Sequence, residues 1–444
     1  MKLTLKDIAN RTNGTLYGED RTVTSLVTDS RKVQNNTLFA AIKGERVDGF
    51  DFIESLDKNH SVAYITDRHP KNAKNPYILT DDVIRTIGDA AALHLESVAA
   101  KHIAVTGSVG KTTTKNFIAS ALLSCMDVHF AKGNFNNELG LPLTALDVTE
   151  HHDAVILEMG MRGLGQIKYL CNIAKPDVAV ITNIGVCHIE LLGSKQNILK
   201  AKLEIIDALS DDGVAVLNGD DDMLKTIKPG KKTLWYGIDN DNCDIRAVNV
   251  VNNKFDLVYK DKSYPVKLAT LGIHNVYNAL AAVSVGIALG CDIQKLIIGV
   301  ESFAGDGSRQ NIYDFNGIKI FDDGYNASPD SMKAAMNVIK GFENRTVLVL
   351  GDMLELGDIA VSAHKSLAKS VYDCKAQLVI CIGPLMKNLY DELENVQKYH
   401  VQNNDEALEI LKNTVVKGDI LLFKGSNSMQ LPYLLEKFKG EWEK

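Results

Sequence analysis

The stretch Ile103-Ala-Val-Thr-Gly-Ser-Val-Gly-Lys-Thr-Thr-Thr114 decides the fold of this chain. Its apolar start predicts a buried parallel strand, and the residues from Thr112 to about Leu123 predict a helix. In the loop between strand and helix, backbone N–H groups, the helix dipole and Lys111 all attract a phosphate. Val105 stands where a full Walker motif has its first glycine, so the motif is the shorter T-G-x-x-G-K-T-T. The alternative is a plain glycine turn with a surface lysine, but the strand and the helix on either side favour phosphate binding.

The loop and the start of the helix are therefore expected to hold the phosphates of a nucleotide. The hydroxyl of Thr112 or Thr113 would meet the Mg²⁺ that accompanies them. The predicted nucleotide contacts are Thr106, Gly107, Ser108, Val109, Gly110, Lys111, Thr112 and Thr113.

Composition narrows the class of protein. The chain has 444 residues, enough for two to four domains, and its net charge of −7 argues against a dedicated nucleic-acid binder. The apolar run 276–290 is interrupted by Asn278 and Ser284, so it predicts a buried helix and no membrane span. The charged N-terminus lacks a signal-peptide core. The seven cysteines include no C-x-x-C pair, which favours free thiols and a cytoplasmic location.

Strand-like and helix-like segments alternate along the whole chain, which predicts an α/β fold in three domains. We expect a first domain at residues 1–100, a central domain at 101–310 and a last domain at 311–444. The central domain should hold a parallel sheet, with residues 231–268 appended as short antiparallel strands. The last domain should be small and Rossmann-like, with its ligand loops at the carboxyl ends of strands.

Some individual elements are also predicted. Leu5, Ile8 and Ala9 fit an opening helix that Gly14 ends. Residues 23–28 alternate like a strand, and residues 364–372 fit a helix of the last domain.

Two polar residues follow strand-like runs of the central domain. Glu158 ends an apolar run, and a carboxylate at a strand tip beside a phosphate loop is a usual Mg²⁺ ligand. The alternative is a solvated glutamate at the strand end. His188 comes after the next strand and should lie on the same side of the sheet, although a single histidine is more often a satisfied polar residue than a ligand.

Two further segments leave alternatives open. Lys200 and Lys202 begin or continue a helix, and spacing alone favours an exposed basic face and does not distinguish them. Asn136 and Asn137 offer several hydrogen-bond donors and acceptors in a glycine-bounded segment. That segment is either a substrate loop or an ordinary loop.

Together these motifs resemble the Mur ligase family, the ATP-dependent amide ligases of bacterial peptidoglycan synthesis. The resemblance covers essentially the whole chain in a three-domain order. The matching stretches are residues 28–31, 41–44, 48–52, 106–113, 134–142, 158–160, 183–188, 201–202, 274–278, 322–330, 351–357 and 424–426. The stretches 134–142, 325–329 and 351–357 point to the family member that adds D-alanyl-D-alanine.

The resemblance implies roles for individual residues. The first domain would hold the UDP part of the substrate, through Ser30, Arg31 and Lys43. Asn136 and Asn137 would belong to the substrate site. The nucleotide would also be contacted by Asn278, Arg309, Asp323 and Asn326.

The resemblance also implies the metal ligands and the catalytic groups. Glu158 and His188 would bind Mg²⁺ together with Thr112. Lys202 matches the family's carbamylated lysine, which as an anion helps to place a second Mg²⁺. Lys111, Lys202 and His188 are thus the expected catalytic residues.

The implied reaction joins D-alanyl-D-alanine to UDP-N-acetylmuramoyl-tripeptide through an acyl phosphate, with ATP as the phosphoryl donor. The protein is expected to act as a monomer. One alternative is a sister ligase that adds glutamate to a folate or a single amino acid to the muramoyl peptide. Another is an ATP-sensing module, a P-loop kinase or a GTPase, although the sequence keeps Lys111, Thr112, Glu158 and His188 together.

Overall fold

The structure, a computed structural model, describes residues 1–58, 62–71, 73–305 and 310–442. Three larger sheets follow one another along the chain, and helices cover them. The predicted α/β architecture is confirmed. The boundaries near residues 100 and 310 stay a prediction, and below we refer to the N-terminal, central and C-terminal units.

The N-terminal unit contains a mixed sheet. Its helices and strands are β1 (Leu3–Thr4), α1 (Leu5–Thr12), β2 (Thr15–Tyr17), β3 (Thr22–Val23), β4 (Ser25–Val27), β5 (Thr37–Ala40), α2 (Ile53–Leu56), β6 (Ala63–Thr66), β7 (Tyr77–Leu79) and α3 (Val83–Glu96). The sheet order is β2-β7-β6-β5-β4, and only β2 pairs antiparallel. The opening helix forms as predicted, but Asn13 ends it instead of Gly14, because Asn13 takes the left-handed backbone conformation at the C-cap.

The predicted single strand at residues 23–28 is wrong. Two short strands, β3 and β4, occupy this segment, and they belong to different sheets. The chain changes sheets at Thr24, whose N–H donates to the carbonyl of Asn36.

The central unit carries the sheet on which the phosphate loop lies. Its elements are β8 (Lys101–Thr106), α4 (Lys111–Leu123), β9 (Val128–Phe130), α5 (Gly140–Leu146), β10 (Ala154–Glu158), α6 (Gln166–Ala174), β11 (Val178–Ile181), α7 (Ile189–Leu192), α8 (Lys195–Asp207), β12 (Val214–Asn218), β13 (Lys232–Gly237), β14 (Ile245–Val251), β15 (Lys254–Tyr259), β16 (Lys262–Lys267), α9 (Ile273–Ala288) and α10 (Ile293–Ser302). The sheet order is β16-β15-β14-β13-β12-β11-β8-β10-β9.

The expectation that residues 231–268 are all antiparallel is wrong for the first part of that segment. β13 pairs parallel with β12, and β14 pairs parallel with β13. Only the hairpins β14–β15 and β15–β16 are antiparallel. A connection of more than ten residues separates β12 from β13, which is long enough for a parallel crossover.

The C-terminal unit has a parallel sheet with one antiparallel edge. Its elements are β17 (Asn311–Phe315), β18 (Ile318–Asp322), α11 (Pro329–Ile339), β19 (Thr346–Gly351), α12 (Ala360–Lys365), α13 (Ala368–Asp373), β20 (Leu378–Ile382), α14 (Lys387–Glu392), β21 (Gln397–Val401), α15 (Asn404–Thr414), β22 (Ile420–Lys424) and α16 (Leu431–Trp442). The order is β17-β18-β22-β19-β20-β21, and β17 is the antiparallel strand.

The predicted helix at residues 364–372 is two helices, α12 and α13. At their junction the N–H of Leu367 donates to the carbonyl of His364, three residues back instead of four. Ser366 caps the same turn by donating its hydroxyl to the carbonyl of Ala363. The tighter turn ends the first helix.

Alternate residues of the central strands face two different cores. Ala104 and Leu157 belong to a core that extends into the N-terminal unit, where Leu38 and Ile87 are part of it. Ile103 and Ile156 face the opposite core, which is formed with helices α4, α9 and α10. The C-terminal unit has its own cores on the two faces of its sheet. The N-terminal and central units therefore share apolar packing that the C-terminal unit mostly lacks.

The apolar run predicted to be a buried helix lies in α9, most of whose residues are buried. Among the helices of the described residues, none is both long enough and apolar enough to cross a membrane.

Helices α4 and α10 approach so closely that the contact requires a glycine. A Cβ on Gly299 of α10 would lie 2.5 Å from the carbonyl oxygen of Ser120 and 2.6 Å from the Cα of Ala121. Gly440 of α16 is an exposed helix glycine with no atom within 4 Å of such a Cβ.

We therefore predict that Gly299→Ala lowers the midpoint of thermal unfolding, because overpacking costs about 1–3 kcal/mol and exceeds the gain in helix propensity of up to about 1 kcal/mol. Gly440→Ala, the matched control, should leave the midpoint unchanged or raise it. Scanning calorimetry of both variants measures this. A Gly299→Ala protein as stable as the parent would contradict the close helix contact.

Candidate active site

The phosphate loop connects β8 to α4 and depends on two glycines. Gly110 has a φ of 86°, in the left-handed region that glycine adopts most easily. A Cβ on Gly107 would lie 1.8 Å from the hydroxyl oxygen of Thr182, so only glycine lets the loop pass the end of β11. The helix begins at Lys111, and its first N–H groups open toward the loop.

The two residues that follow the neighbouring strand β11 hold the loop in shape. The backbone N–H of Ser108 donates to the carbonyl of Asn183, and the N–H of Val109 donates to its side-chain oxygen, both at 3.0 Å. The hydroxyl of Thr182 and the side-chain amide of Asn183 donate to the carbonyl of Val109, at 2.6 and 2.9 Å. The loop is therefore preorganised by partners outside it.

Two predicted loop residues have defined side-chain partners. The hydroxyl of Thr106 is buried and donates to the carbonyl of Met159 at 2.8 Å, so it joins β8 to the end of β10. The ammonium of Lys111 donates to the carbonyl of Gly107 at 2.9 Å, across the mouth of the loop.

The structure brings Glu158 next to the start of α4. The hydroxyl of Thr112 donates to Glu158 Oε2 at 2.7 Å, and the amide of Asn136 donates to Oε1 at 2.8 Å. Thr112 and Glu158 are each only 3% exposed. A hydroxyl and a carboxylate side by side are the hard oxygen ligands that Mg²⁺ prefers. Asn137 acts differently, because its side-chain oxygen accepts from the N–H of Gly140 at the start of α5.

His188 lies beyond β11 and reaches the C-terminal unit. Its Nδ1 lies 2.6 Å from Oε2 of Glu355, and Arg162 Nη2 lies 3.9 Å from the other oxygen of that carboxylate. Burial lowers the pKa of His188, although Glu355 opposes this, and Lys111 and Lys202 lower the pKa further. Among the described residues no three histidine, cysteine or acidic side chains converge on one point, so Glu158 and His188 do not form a ready-made cluster.

The structure distinguishes Lys202 from Lys200, which their spacing in the sequence could not do. Lys202 of α8 is 3% exposed, whereas Lys200 is exposed. Burial, with a further contribution from Lys111, holds the pKa of Lys202 well below its ordinary value. The fold therefore favours the neutral form of the Lys202 amine more than it does at an exposed lysine.

The phosphate loop lies on the wall of a cleft with a volume of about 1420 Å³. Three other predicted nucleotide residues, Asn278, Asp323 and Asn326, line this cleft as well. Asn278 accepts from the hydroxyl of Thr114 at 2.8 Å, so it also ties α9 to α4. Asp323 pairs with buried Lys424 at 2.5 Å, and the Lys424 ammonium also donates to the carbonyl of Asn326 at 3.1 Å. Arg309 lies outside the described residues.

The predicted UDP-binding residues lie apart from this cleft. Ser30 and Arg31 form a short 3₁₀ turn of the N-terminal unit, and Arg31 makes a two-point ion pair with Asp29 at 2.8 and 2.9 Å. Lys43 is exposed on a loop, where its backbone forms an isolated antiparallel β-bridge with that of Asp48. None of these three predicted residues lines the cleft that contains the phosphate loop.

Sequence reasoning missed several residues of the cleft. Thr182 and Asn183 were detectable, because polar residues directly after a buried parallel strand lie at its ligand-binding edge. Glu355 gave no such signal, because its contact with His188 depends on how two distant loops meet. Lys424 entered the sequence analysis only within the matching stretch 424–426, and its ion pair with Asp323 depends on the fold.

Three protein-family models together match most of the chain. Residues 22–106 match the model described as Mur ligase family, catalytic domain; residues 105–286 match the Mur ligase middle domain; and residues 308–427 match the Mur ligase, glutamate ligase domain. The chain is 36% identical to the UDP-N-acetylmuramoyl-tripeptide–D-alanyl-D-alanine ligase of Bacillus subtilis (strain 168), over 98% of each chain.

Two solved structures have a similar fold. One is MurF from Acinetobacter baumannii, with a TM-score of 0.91 and 28% identity over 99% of each chain. The other is MurF ligase from Thermotoga maritima in complex with ADP, with a TM-score of 0.85 and 29% identity over 95% of this chain and 98% of that one. Because the similarity extends over nearly the full length in sequence and in fold, this chain belongs to the Mur ligase family.

Proposed function

We propose that this protein is an ATP-dependent amide ligase of peptidoglycan synthesis. It joins D-alanyl-D-alanine to UDP-N-acetylmuramoyl-tripeptide and releases UDP-N-acetylmuramoyl-pentapeptide, ADP and phosphate. The observation that carries this proposal is the near full-length similarity to the Bacillus subtilis ligase of that name. The ADP in the similar Thermotoga maritima structure supports a nucleotide as the ligand of the cleft.

In the proposed complex the phosphate loop and Lys111 hold the triphosphate of ATP. The fixed N–H groups and the lysine place positive charge where the phosphates need it. Asn278, Asp323 and Asn326 lie on the cleft walls and would contact the rest of the nucleotide.

Thr112 and Glu158 would hold Mg²⁺, since their adjacent oxygens fit a hard cation. His188 would join the metal site as a neutral imidazole, which its lowered pKa favours. When bound, Mg²⁺ would neutralise part of the negative charge of the phosphates. Asn136, through its hydrogen bond to Glu158, orients this carboxylate.

The tripeptide substrate would bridge two parts of the molecule. Its UDP group would bind the N-terminal unit through Ser30, Arg31 and Lys43, and its peptide would extend past Asn136 and Asn137 toward the phosphate loop. Both asparagines line the cleft, which supports this direction.

The chemistry proceeds in two steps. The terminal carboxylate of the tripeptide bonds to the γ-phosphorus of ATP, and the bond to the β,γ-bridging oxygen breaks, which releases ADP and leaves an acyl phosphate. The amine of D-alanyl-D-alanine then bonds to the carbonyl carbon and loses a proton, and the bond to phosphate breaks. The first step is difficult because the anionic carboxylate of the tripeptide must approach the polyanionic triphosphate of ATP. Catalysis therefore depends on positioning the reactants and on positive charge around them.

Lys202 is proposed to carry a carbamate. In its neutral form the amine can add to carbon dioxide: the nitrogen bonds to the carbon and loses a proton, and the resulting carbamate anion would help to place a second Mg²⁺. We predict that Lys202→Ala is largely inactive and is partly restored by a small added carboxylate such as acetate. Lys200→Ala, the exposed control on the same helix, should keep its activity. Steady-state phosphate release measures both, and a Lys202→Ala protein as active as the parent would defeat the carbamate hypothesis.

The proposed reaction is tested by phosphate release from ATP with Mg²⁺ and UDP-N-acetylmuramoyl-tripeptide. We expect release only when D-alanyl-D-alanine is present, and none with D-glutamate, L-lysine or no amine. Release that follows a different amine would assign the chain to a sister ligase. If no amine supports release, the proposal of ligase activity is wrong.

A further inference from the structure

The loop at residues 352–357 brings a carboxylate of the C-terminal unit into the cleft. Met353 and Leu356 are buried in the core of that unit, and Glu355 between them lies 2.6 Å from His188 of the central unit. Glu355 has a φ of 60°, which is unfavourable for a residue with a side chain. Such a conformation persists only when the surrounding structure fixes it.

Three backbone contacts fix the first half of this loop. The N–H of Asp352 donates to the carbonyl of Ile382 at 3.2 Å, and the N–H of Leu354 donates to the hydroxyl of Ser426 at 2.9 Å. Between them, the N–H of Met353 donates to Nε2 of His364 at 3.0 Å. The contact with His364 lies two residues before Glu355 in the chain.

The two contacts of His364 determine its protonation. Its Nδ1 lies 2.7 Å from the carbonyl oxygen of Ala360, which can only accept, so Nδ1 carries a proton. The N–H of Met353 can only donate, so Nε2 carries none. The ring is completely buried, and burial lowers its pKa, while Ala360 and Asp352 raise it. His364 is therefore neutral and held in one tautomer by these two contacts.

We propose that His364 is a positioning residue for the ligase reaction: its neutral ring fixes the 352–357 loop so that Glu355 spans the cleft to His188. This inference rests on the proposed function, because it assigns the loop a part in turnover. Without the Nε2 acceptor, the buried N–H of Met353 loses its partner, and the loop relaxes away from the strained conformation of Glu355.

Two amide variants separate the two nitrogens of the ring. In His364→Gln the side-chain oxygen reaches the position of Nε2 and can still accept from Met353. In His364→Asn the amide reaches only the position of Nδ1, so it can bond to Ala360 but not to Met353. Both variants are polar and of similar size, which makes each a control for the other.

Hydrogen exchange followed by mass spectrometry tests the loop without any turnover. We expect peptides covering residues 352–357 to exchange at least about tenfold faster in His364→Asn than in the parent, and at the parental rate in His364→Gln. Equal protection in the folded asparagine variant overturns the proposal. So does a His364→Gln protein that loses the protection or fails to fold.

Kinetics test whether the loop acts through Glu355. We expect His364→Asn to lower kcat at least about tenfold with little change in KM for ATP, and His364→Gln to stay within about threefold of the parent.

In a Glu355→Gln background, His364→Asn should cause no further loss, because the residue it positions is already changed. Fully additive losses, or an unimpaired Glu355→Gln, overturn the proposal. A parent without amine-dependent phosphate release would instead defeat the proposed function, and the exchange comparison would still decide the role of His364.

Discussion

The parallel pairing of β8 with β10 is the constraint on which the cleft depends. Parallel strands end at the same edge of a sheet, and this register places Glu158 opposite Val105, directly beside the phosphate loop. The hydroxyl of Thr112 can then reach the carboxylate from the first turn of α4. On the other side of β8, Asn183 follows the end of β11, and its side chain and backbone hold the loop. This one register therefore positions both the phosphate loop and the candidate metal ligands Thr112 and Glu158.

The three units contribute unequally to this arrangement. The N-terminal unit shares an apolar core with the central sheet, so its predicted UDP-binding surface is held firmly relative to the phosphate loop. The C-terminal unit has its own cores and meets the central unit at the cleft, where Glu355 contacts His188 and Gly357 lies against Glu190. Movement of the C-terminal unit would separate Glu355 from His188 without disturbing the core that the other two units share.

Local sequence signals predicted the phosphate loop and the position of Glu158 well. A buried strand, two glycines and a helix start are fixed by short-range chemistry, and Glu158 follows directly from the end of an apolar run. Strand direction in residues 231–268 was not predictable, because a hydrophobic pattern with a period of two is the same in parallel and antiparallel pairs. The break between α12 and α13 depends on one tightened turn inside a good helical pattern. The contact between Glu355 and His188 needs two left-handed residues from different units, and no local pattern specifies that.

The contrast between Lys200 and Lys202 shows what burial adds to a motif. The two residues are chemically identical and two positions apart, yet only Lys202 points into the protein, where its ordinary charge becomes costly. Periodicity alone had favoured an exposed basic face, and that expectation holds for Lys200. The lowered pKa of Lys202 is a property of the fold rather than of the spacing.

The measurement that tests the central claim most directly is calorimetric binding of ADP, with and without Mg²⁺, to the parent and to Glu158→Gln. If Thr112 and Glu158 hold the metal beside the phosphates, Mg²⁺ should tighten ADP binding to the parent by about tenfold or more, which is about 1.4 kcal/mol. Glu158→Gln should bind ADP as the parent does without the metal but lose most of this gain, while Glu138→Gln, elsewhere on the cleft wall, should keep it. An equal gain from Mg²⁺ in Glu158→Gln and in the parent would contradict the account.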